Sequence, residues 1–354
     1  MSIEFARPTS MSLKGSLPRF FNPLVAALSA VAGVWGSMAF ATDAGPAIVT
    51  GALIAAMGFV LATVLVSRIV EGKRKATDRL VTSLVTGAFL LALVPLVSLV
   101  LTVVTLGSKR FDLEFFTYSM RNILGDGGGA IHAIVGTLEI TLLATLFSVP
   151  IGIMTAIYLI EYGRGKLAKA VTFLVDVMTG IPSIVAGLFA YAVFALIFGP
   201  GVRMGIAGSV ALSVLMIPVV IRSTEEMLKI VPNELREASL ALGVPKWLTV
   251  VKVVLPTAIG GIVTGVMIAI ARVIGETAPL LLVAGFTSSM NYDPTDGRMM
   301  TLPVFVYTSY ANVGTNFQAY IDRAWAGALT LMLIVMILNL GARLVSKIFA
   351  PKKG

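Results

Sequence analysis

Two oppositely charged residues, Arg272 and Glu276, lie four positions apart within a long apolar stretch. On a helix, that spacing puts both side chains on one face, one turn apart. An Arg in the middle of a membrane span costs on the order of 2.5–3.5 kcal/mol on insertion scales, so its side chain must face protein or water. Two roles stay open. The pair is either a neutral link that pins two helices, or Arg272 offers its planar fork of donors to an oxyanion while Glu276 holds it in place.

Few other residues in the apolar stretches could carry chemistry. Asp176 and Glu139 are acids, and we expect each to be paired or protonated, because an unpaired charge is costly there. The chain has no cysteine and one histidine, His132, which cannot form a metal site alone. Disulfides, thiol chemistry and the usual catalytic constellations are thereby excluded, so we expect no enzyme activity, metal or cofactor on this chain.

The composition indicates that lipid is the solvent of this chain. Its 354 residues are 57% hydrophobic and 13% charged, whereas an ordinary soluble domain carries about 25% charged residues. The net charge of +9 does not indicate a nucleic-acid binder, because the Lys and Arg residues lie in short segments between apolar runs. Nucleic acid is therefore excluded as a partner.

Long apolar runs recur along the chain, and a helix needs about 20 mostly apolar residues to cross the hydrocarbon core. The runs are continuously apolar, which argues against the alternating pattern of a membrane β-barrel. The sequence thus predicts an all-α, polytopic integral membrane protein with eight spans. The predicted spans are residues 22–41, 46–70, 80–106, 131–160, 170–199, 206–221, 253–285 and 325–346.

Basic residues are distributed unequally between the connections. If the N-terminus lies inside, the inner segments hold 20 Lys and Arg residues and the outer segments hold 6. By the positive-inside rule, both termini are expected in the cytoplasm. The inner segments are 1–21, 68–79, 161–169, 222–252 and 343–354, and the outer segments are 42–45, 107–130, 200–205 and 286–324.

Two short runs in the connections have possible special roles. The first span ends in Ala39-Phe40-Ala41, an A-x-A run that resembles a signal-peptidase site. Because the preceding basic region is long and a second span follows almost at once, an uncleaved anchor is favoured over a removed leader. Gly127-Gly128-Gly129 lacks the Lys-Ser of a phosphate loop and is expected to be a flexible connection.

The inner segment 222–252 is too long for a simple turn and has helical patterning. Pro232 and Asn233 are expected to start a helix, and Gly243, followed by Pro245, is expected to end it. An amphipathic helix between two spans either lies on the lipid surface or docks in a groove of a soluble partner. The apolar stripe of this helix consists of Leu235, Ala238 and Leu242.

The same segment resembles the EAA loop of ABC-importer permeases, which has E-A-A, three residues, Gly, nine residues and then I-x-L-P. Here Ser replaces the second Ala and Val replaces Ile. The matching residues are Glu237, Ala238, Ser239, Gly243, Val253, Leu255 and Pro256. The resemblance implies a six-span ABC type I importer core and a coupling helix seated in a separate ATPase subunit. Since the chain has no G-x-x-x-x-G-K-[ST] motif, ATP hydrolysis is expected on that other subunit.

Residues 271–285, ARVIGETAPLLLVAG, resemble the R-x-x-G-E-T-A-P-L-L run of phosphate-importer permeases of the PstA type. Two further runs agree with that family, residues 180–188 and residues 302–304, and the resemblance covers about residues 80–346. It implies a phosphate pathway near four residues. These are Arg272, Glu276, Thr277 and Asp176.

The resemblance also implies the partners and the location of the chain. The partners are a second homologous permease, two ATPase subunits and an extracytoplasmic phosphate-binding protein, with phosphate as the substrate and the plasma (inner) membrane as the location. The expected domains are an N-terminal extension with an extra transmembrane hairpin (1–79), a six-span permease domain (80–346) that contains the EAA coupling loop (222–256), and a cytoplasmic tail (347–354).

Two alternative functions stay open. One is a permease for another oxyanion, phosphonate or sulfate, against which only the G-E-T-A-P run argues. The other is an ion-coupled secondary transporter, in which the intramembrane acids would carry protons. Such a transporter would not need an exposed coupling helix. Loss of uptake on ATP depletion, as opposed to loss on collapse of the proton gradient, separates the ATP-driven class from the ion-coupled class.

Overall fold

The computed structural model describes residues 16–40, 44–123, 125–314 and 316–349. Every regular element in these ranges is a helix, which confirms the all-α prediction. The A-x-A run that ends at residue 41 and the tail beyond residue 349 reach outside the described residues, so what was expected of them stays a prediction.

The described residues form fourteen α-helices in chain order. Helices α1 to α5 are Phe21–Phe40, Ala44–Val70, Lys73–Gly107, Leu113–Thr117 and Ile131–Ile157. Helices α6 to α10 are Lys166–Thr179, Ser183–Phe198, Gly205–Ile230, Asn233–Ala241 and Lys246–Thr249. Helices α11 to α14 are Leu255–Val273, Ala278–Val283, Leu302–Ala311 and Phe317–Phe349. A 3-10 helix follows α3 at Ser108–Arg110, and π-helical turns follow α5 at Tyr158–Tyr162 and precede α11 at Val250–Val254.

Seven helices in the described ranges are long and apolar enough to cross a membrane, and there are eight spans if the bent pair α6 and α7 is counted as one. Several predicted spans differ from the structure. The runs 80–106 and 325–346 begin too late, since α3 begins at Lys73 and α14 begins at Phe317. The run 170–199 is not one straight helix, because the chain bends by 110° between α6 and α7. The predicted run 206–221 is too short, since α8 continues to Ile230. The predicted run 253–285 is too long, since α11 ends at Val273.

Local sequence explains both interruptions. Pro182 precedes the first residue of α7, and its backbone is extended, with a ψ of 138°. A proline has no N–H to donate to the preceding turn, and it disfavours the helical conformation in the residue before it, so helices usually end there. Beyond α11, Ile274 and Gly275 form a turn instead of a further helical turn. Hydropathy averaged over the length of a span does not detect either break, because each break lies within a long stretch that is apolar on average.

The chain divides into two compact units, residues 1–100 and residues 101–354. The first unit contains the α1–α2 hairpin and most of α3. Small residues let the two hairpin helices approach closely: a Cβ added to Gly33 would lie 2.4 Å from the Gly51 carbonyl oxygen. Lipid tails are as apolar as the side chains, so the hydrophobic effect does not drive membrane helices together. Close packing of small residues has to hold them instead.

A cluster of polar side chains around Glu71 connects the three helices of the first unit at one end. Its Oε2 accepts hydrogen bonds from Arg79 Nε at 2.8 Å and from Ser67 Oγ at 2.8 Å. Its Oε1 accepts from the Leu17 N–H at 3.1 Å, and Arg79 Nη1 donates to Asn22 Oδ1 at 2.9 Å. The Arg79 hydrogen bond is the main cause that lowers the pKa of Glu71 to about 2. The carboxylate therefore stays charged at neutral pH and links the starts of α1 and α3 to the end of α2.

Helix α8 lies at the centre of the second unit and packs against α5, α6, α7 and α11. Gly152 of α5 approaches it so closely that an added Cβ would lie 2.6 Å from Val220 Cγ1. On the α11 side, a Cβ added to Gly265 would lie 2.5 Å from Ser223 Oγ. The packing that holds α8 therefore depends on glycines in its neighbours, as expected where the hydrophobic effect does not drive association.

Two arginines hold the glycine-rich loop that precedes α5. Arg323 in α14 is 1% exposed, and its Nη1 donates to the Gly125 and Gly127 carbonyl oxygens, both at 2.8 Å. Arg110 Nη2 donates to the Gly128 carbonyl oxygen at 2.9 Å. The loop that was expected to be a flexible connection is therefore held at three of its carbonyl oxygens. The side chains that fix this loop come from distant parts of the chain, which the loop sequence does not show.

Candidate functional site

Helix α9 connects α8 to α10 and forms where the sequence predicts it. Pro232 precedes its first residue, Asn233, and the helix ends at Ala241. Gly243 then takes a φ of +77°, in the left-handed region that glycine adopts without strain. A Cβ at Gly243 would meet open space, so the backbone conformation, and not a lack of room, requires glycine there. The helix is therefore short, with both ends set by local sequence.

One face of α9 points away from the rest of the chain. Leu242 is 83% exposed and Leu235 is 42% exposed, and Ala238 on the same stripe is exposed as well. Glu237 is also exposed and has no hydrogen bond or ion pair to another described residue. The predicted apolar stripe thus lies on the outer face, with an uncompensated carboxylate beside it.

The opposite face attaches α9 to the chain through Arg236. Its Nε donates to Glu161 Oε1 at 3.0 Å, and the side chains of Arg236 and Glu161 are 15% and 7% exposed. Its Nη1 donates to the Val231 carbonyl oxygen at 2.6 Å, and its Nη2 donates to the Leu228 carbonyl oxygen at 2.8 Å. The guanidinium therefore links α9 to the end of α8 and to the π-helical turn after α5.

Two further contacts strengthen this attachment. The buried hydroxyls of Ser239 and Thr249 share a hydrogen bond of 2.9 Å, which joins α9 to α10. Lys246 Nζ donates to the Glu161 carbonyl oxygen and lies 5.0 Å from the centroid of the Tyr162 ring. Ser239 stands where the E-A-A pattern has its second Ala, and its hydroxyl makes a contact that Ala could not make. Since α10 continues through a π-helical turn into α11, α9 is linked to three of the long helices.

Asp176 in α6 pairs with Arg222 in α8, which confirms the expectation that this acid finds a partner. Arg222 Nη1 also donates to Glu225 Oε2 at 2.7 Å, and Glu225 is 3% exposed. One guanidinium thus faces two carboxylates. The cluster holds α6 to α8 but does not offer a free cation to an anion.

Arg272 lies in the last turn of α11, and its side chain is exposed in this chain. Glu276 lies beyond the end of that helix, after the turn at Ile274 and Gly275, and Thr277 follows it directly before α12. The predicted pair on one helix face is therefore wrong. No hydrogen bond or ion pair connects the Arg272 side chain to another described residue, so its donors are free.

Helices α7 and α12, which are far apart in the sequence, meet directly after the segment that carries Arg272, Glu276 and Thr277. A Cβ added to Gly187 in α7 would lie 2.7 Å from the Pro279 Cα in α12. Both short helices also pack against α8. The segment that carries Arg272, Glu276 and Thr277 therefore leads directly into a close contact with the second half of the broken α6–α7 pair.

Glu139 and His132 do not join either site. Glu139 Oε2 and both ring nitrogens of His132 are buried with no hydrogen-bond partner among the described residues. Glu139 was expected to be paired or protonated; no partner is found for it within the described chain, and the protonated state stays a prediction. In the part of the chain that the structure describes, no group of three His, Cys, Asp or Glu residues could hold a metal ion.

Sequence analysis missed the residues that position α9. Arg236 was counted only as one basic residue of an inner segment, and Glu161 lies 75 positions before it. One signal was available, because Glu161 directly follows a span in a segment that is otherwise basic. The Ser at position 239 was a second signal, since it departs from the E-A-A pattern towards a side chain with a hydroxyl.

The chain is similar to known membrane transport proteins. The family described as "Binding-protein-dependent transport system inner membrane component" matches residues 148–354. The phosphate transport system permease protein PstA of Mycobacterium leprae (strain TN) is 44% identical over 281 residues, which is 78% of this chain and 90% of the relative. The protein of the same name from Pasteurella multocida (strain Pm70) is 39% identical over 281 residues, 79% of this chain and 96% of the relative.

A solved structure has a similar fold. It is a bacterial alginate ABC transporter in complex with an alginate pentasaccharide-bound periplasmic protein, and one of its chains matches with a TM-score of 0.55 at 16% identity. The match covers 78% of this chain and 97% of that chain. At this identity the similarity shows the fold alone, which is that of an ABC importer permease.

The attachment of α9 is testable through Arg236→Ala. This change leaves Glu161 buried without its cation, and breaking a buried pair costs on the order of 3 kcal/mol, which is about a hundredfold in a local opening equilibrium. Hydrogen exchange measured by mass spectrometry should therefore become faster in residues 228–249. Glu237→Ala, on the outer face of the same helix, is the control and should leave the exchange rates unchanged. Equal exchange in Arg236→Ala and wild type would show that the pair does not hold the helix.

Proposed function

This chain belongs to the PstA-type phosphate transport permeases, among the binding-protein-dependent transport system inner membrane components, and from that premise we propose that it forms the translocation pathway of an ATP-driven phosphate importer. In this proposal it works with a second homologous permease, two separate ATPase subunits and an extracytoplasmic phosphate-binding protein. The unequal distribution of basic residues supports an orientation with both termini in the cytoplasm.

The observation that carries the proposal is the exposed face of α9. A helix that only covers the lipid surface would turn its apolar side chains inward or into lipid and would need no rigid attachment. Helix α9 instead presents Leu235, Leu242 and the unpaired Glu237 on one side while Arg236 and Ser239 fix the other side. An apolar stripe beside one free charge is what a helix offers to a groove on a partner protein.

The attachment also explains how a partner could move the spans. Through Arg236, helix α9 contacts the end of α8 and the turn after α5. Through Ser239 it contacts α10, which leads into α11. A displacement of α9 by closing ATPase subunits would therefore act on three long helices together. In this way ATP binding on other subunits is coupled to alternating access in this chain.

Arg272 is the residue that we propose to meet phosphate in the pathway. Its guanidinium is exposed in this chain and is not neutralised by Glu276, and a planar fork of donors matches phosphate oxygens in pairs. Arg222, by comparison, is already held by Asp176 and Glu225. Glu276 and Thr277 follow on an irregular segment next to α12, where they can contribute to the same wet region. Asp176 shapes the pathway by holding α6 against α8.

The function test uses cells whose own high-affinity phosphate importer lacks this subunit. The wild-type chain should restore phosphate uptake, and Glu237→Lys should lower it by more than about tenfold, because a reversed charge at a docking face costs several kcal/mol. Glu226→Lys, which reverses an exposed charge outside α9, should transport like the wild type. Full uptake by Glu237→Lys would remove this face from the coupling proposal. Uptake that survives ATP depletion but fails when the proton gradient collapses would contradict the ATP-driven class itself.

The pathway role is tested with Arg272→Lys, which keeps the charge but loses the planar fork. We expect maximal phosphate uptake to fall by about tenfold, the effect of losing one hydrogen bond to a charged group. Assembly with the ATPase subunits should be unchanged. Arg164→Lys, at an exposed position in a connection, is the matched control and should have no effect. Wild-type transport by Arg272→Lys would contradict the paired contact, and equal competition by sulfate or phosphonate would contradict phosphate as the substrate.

A further inference from the structure

A groove lies within the first unit, between the α1–α2 hairpin and α3. Its volume is about 750 Å³, within the range of about 300–1,000 Å³ that is typical of ligand pockets. Its lining residues fall within residues 22–90, so the groove belongs to the first unit alone. Away from its charged end, it is lined by apolar side chains from all three helices and by hydroxyl side chains between them. The apolar residues include Ala26, Ala30, Ala55, Phe59, Val60 and Leu90, and the hydroxyl residues are Ser29, Thr63, Thr82, Ser83 and Thr86.

One end of the groove is charged. Glu71, Lys75, Asp78 and Arg79 line it there, next to Asn22 at the start of α1. Glu71 and Arg79 neutralise each other through the hydrogen bond described above. Lys75 is held only loosely, since its Nζ is 3.8 Å from Glu71 and its side chain is 59% exposed. The groove therefore has a mainly apolar part and a charged end, which carries two acidic and two basic side chains.

Lys75 and Asp78 are the two groups at this end that a ligand could engage. They lie three positions apart on α3, both are exposed, and no ion pair between them exists in the described structure. Asp78 makes no ion pair in the described structure and Lys75 makes only the long contact to Glu71, so the two charges together are complementary to a ligand that carries both. An apolar groove below them is complementary to a hydrocarbon chain.

We propose that this groove binds a membrane phospholipid whose headgroup carries a phosphate and a primary ammonium. The phosphate contacts Lys75, the ammonium contacts Asp78, and one acyl chain lies along the apolar part of the groove. In the orientation proposed above, the charged end lies at the cytoplasmic face, where basic pockets between membrane helices meet lipid headgroups. The site lies between the extra hairpin and α3, the first span of the expected six-span core, and gives the hairpin a role of its own.

A second membrane helix is the competing occupant, and the charges argue against it. A helix laid along the groove would cover Lys75 and Asp78 with apolar side chains and leave both charges without water or a partner, which is costly. A phospholipid supplies one opposite charge for each of them. The lipid therefore satisfies both ends of the groove, whereas a helix satisfies only the apolar part.

The experiment uses the full transporter assembly in lipid vesicles that contain a photoreactive phosphatidylethanolamine with its reactive group on an acyl chain. We expect mass spectrometry to find the label on peptides within residues 22–90. Gly87→Phe should reduce that label to the level of bulk lipid, because a side chain at Gly87 points into open space and fills the groove. Leu91→Phe, a lipid-facing change one turn further along α3, is the matched control and should keep the label.

Charge variants test the headgroup part separately and do not depend on filling the groove. Lys75→Gln should weaken labelling about fivefold, the effect of one basic contact to a headgroup phosphate. Asp78→Asn should remove the preference for phosphatidylethanolamine over phosphatidylglycerol. Equal labelling in wild type, Gly87→Phe and Lys75→Gln would show ordinary surrounding lipid and overturn the site. Label on another polypeptide that occupies the groove would overturn the lipid in favour of a helix. Phosphate uptake is measured in the same vesicles, so that a loss of label can be told apart from a failure of the proposed transport function.

Discussion

The ion pair between Arg236 and Glu161 sets the position of α9, and the proposed docking of this helix on an ATPase subunit depends on that position. A guanidinium that is 15% exposed and a carboxylate that is 7% exposed hold each other out of water, an arrangement that is tolerated only when the geometry is good and the other donors are used. Arg236 meets this condition through two backbone carbonyl oxygens at the end of α8. Because its inner face is fixed in this way, α9 presents its outer face as a rigid surface.

Charged side chains hold elements together elsewhere in the chain as well. Arg222 is held by two carboxylates, and Arg323 donates to the carbonyl oxygens of a glycine-rich loop. Glu71 is held by Arg79 and Ser67. Each of these charges stabilises the contact between elements that apolar packing alone would not join firmly, since lipid competes with apolar contacts on equal terms. Arg272 differs because its donors are free in this chain, and that difference is the physical basis for its proposed contact with phosphate.

The sequence predicted those features that depend on neighbouring residues alone. The bounds of α9 follow from Pro232 and from Gly243 with its φ of +77°, and both were visible in the sequence. The spans were visible as apolar runs, but hydropathy averaged over the length of a span could not show the 110° bend after α6, because the bend lies within a long stretch that is apolar on average. The spacing of Arg272 and Glu276 predicted a pair only if the helix continued, and Gly275 lies in the turn that ends it. The pairing of Arg236 with Glu161 could not be predicted, since it depends on how elements 75 positions apart pack, and the contact of Ser239 with Thr249 depends on the angle between α9 and α10.

A photoreactive benzoylphenylalanine at Leu242, which directly follows α9 and is 83% exposed, shows what the outer face of this helix contacts. In membranes that contain the assembled transporter, illumination should link this position to the ATPase subunit. The same residue at Leu196, which is 87% exposed on α7, should give no such product. We expect a product with the ATPase subunit from position 242 alone. Adducts with lipid alone from position 242 would place the outer face of α9 on the membrane and contradict its docking on the ATPase subunit.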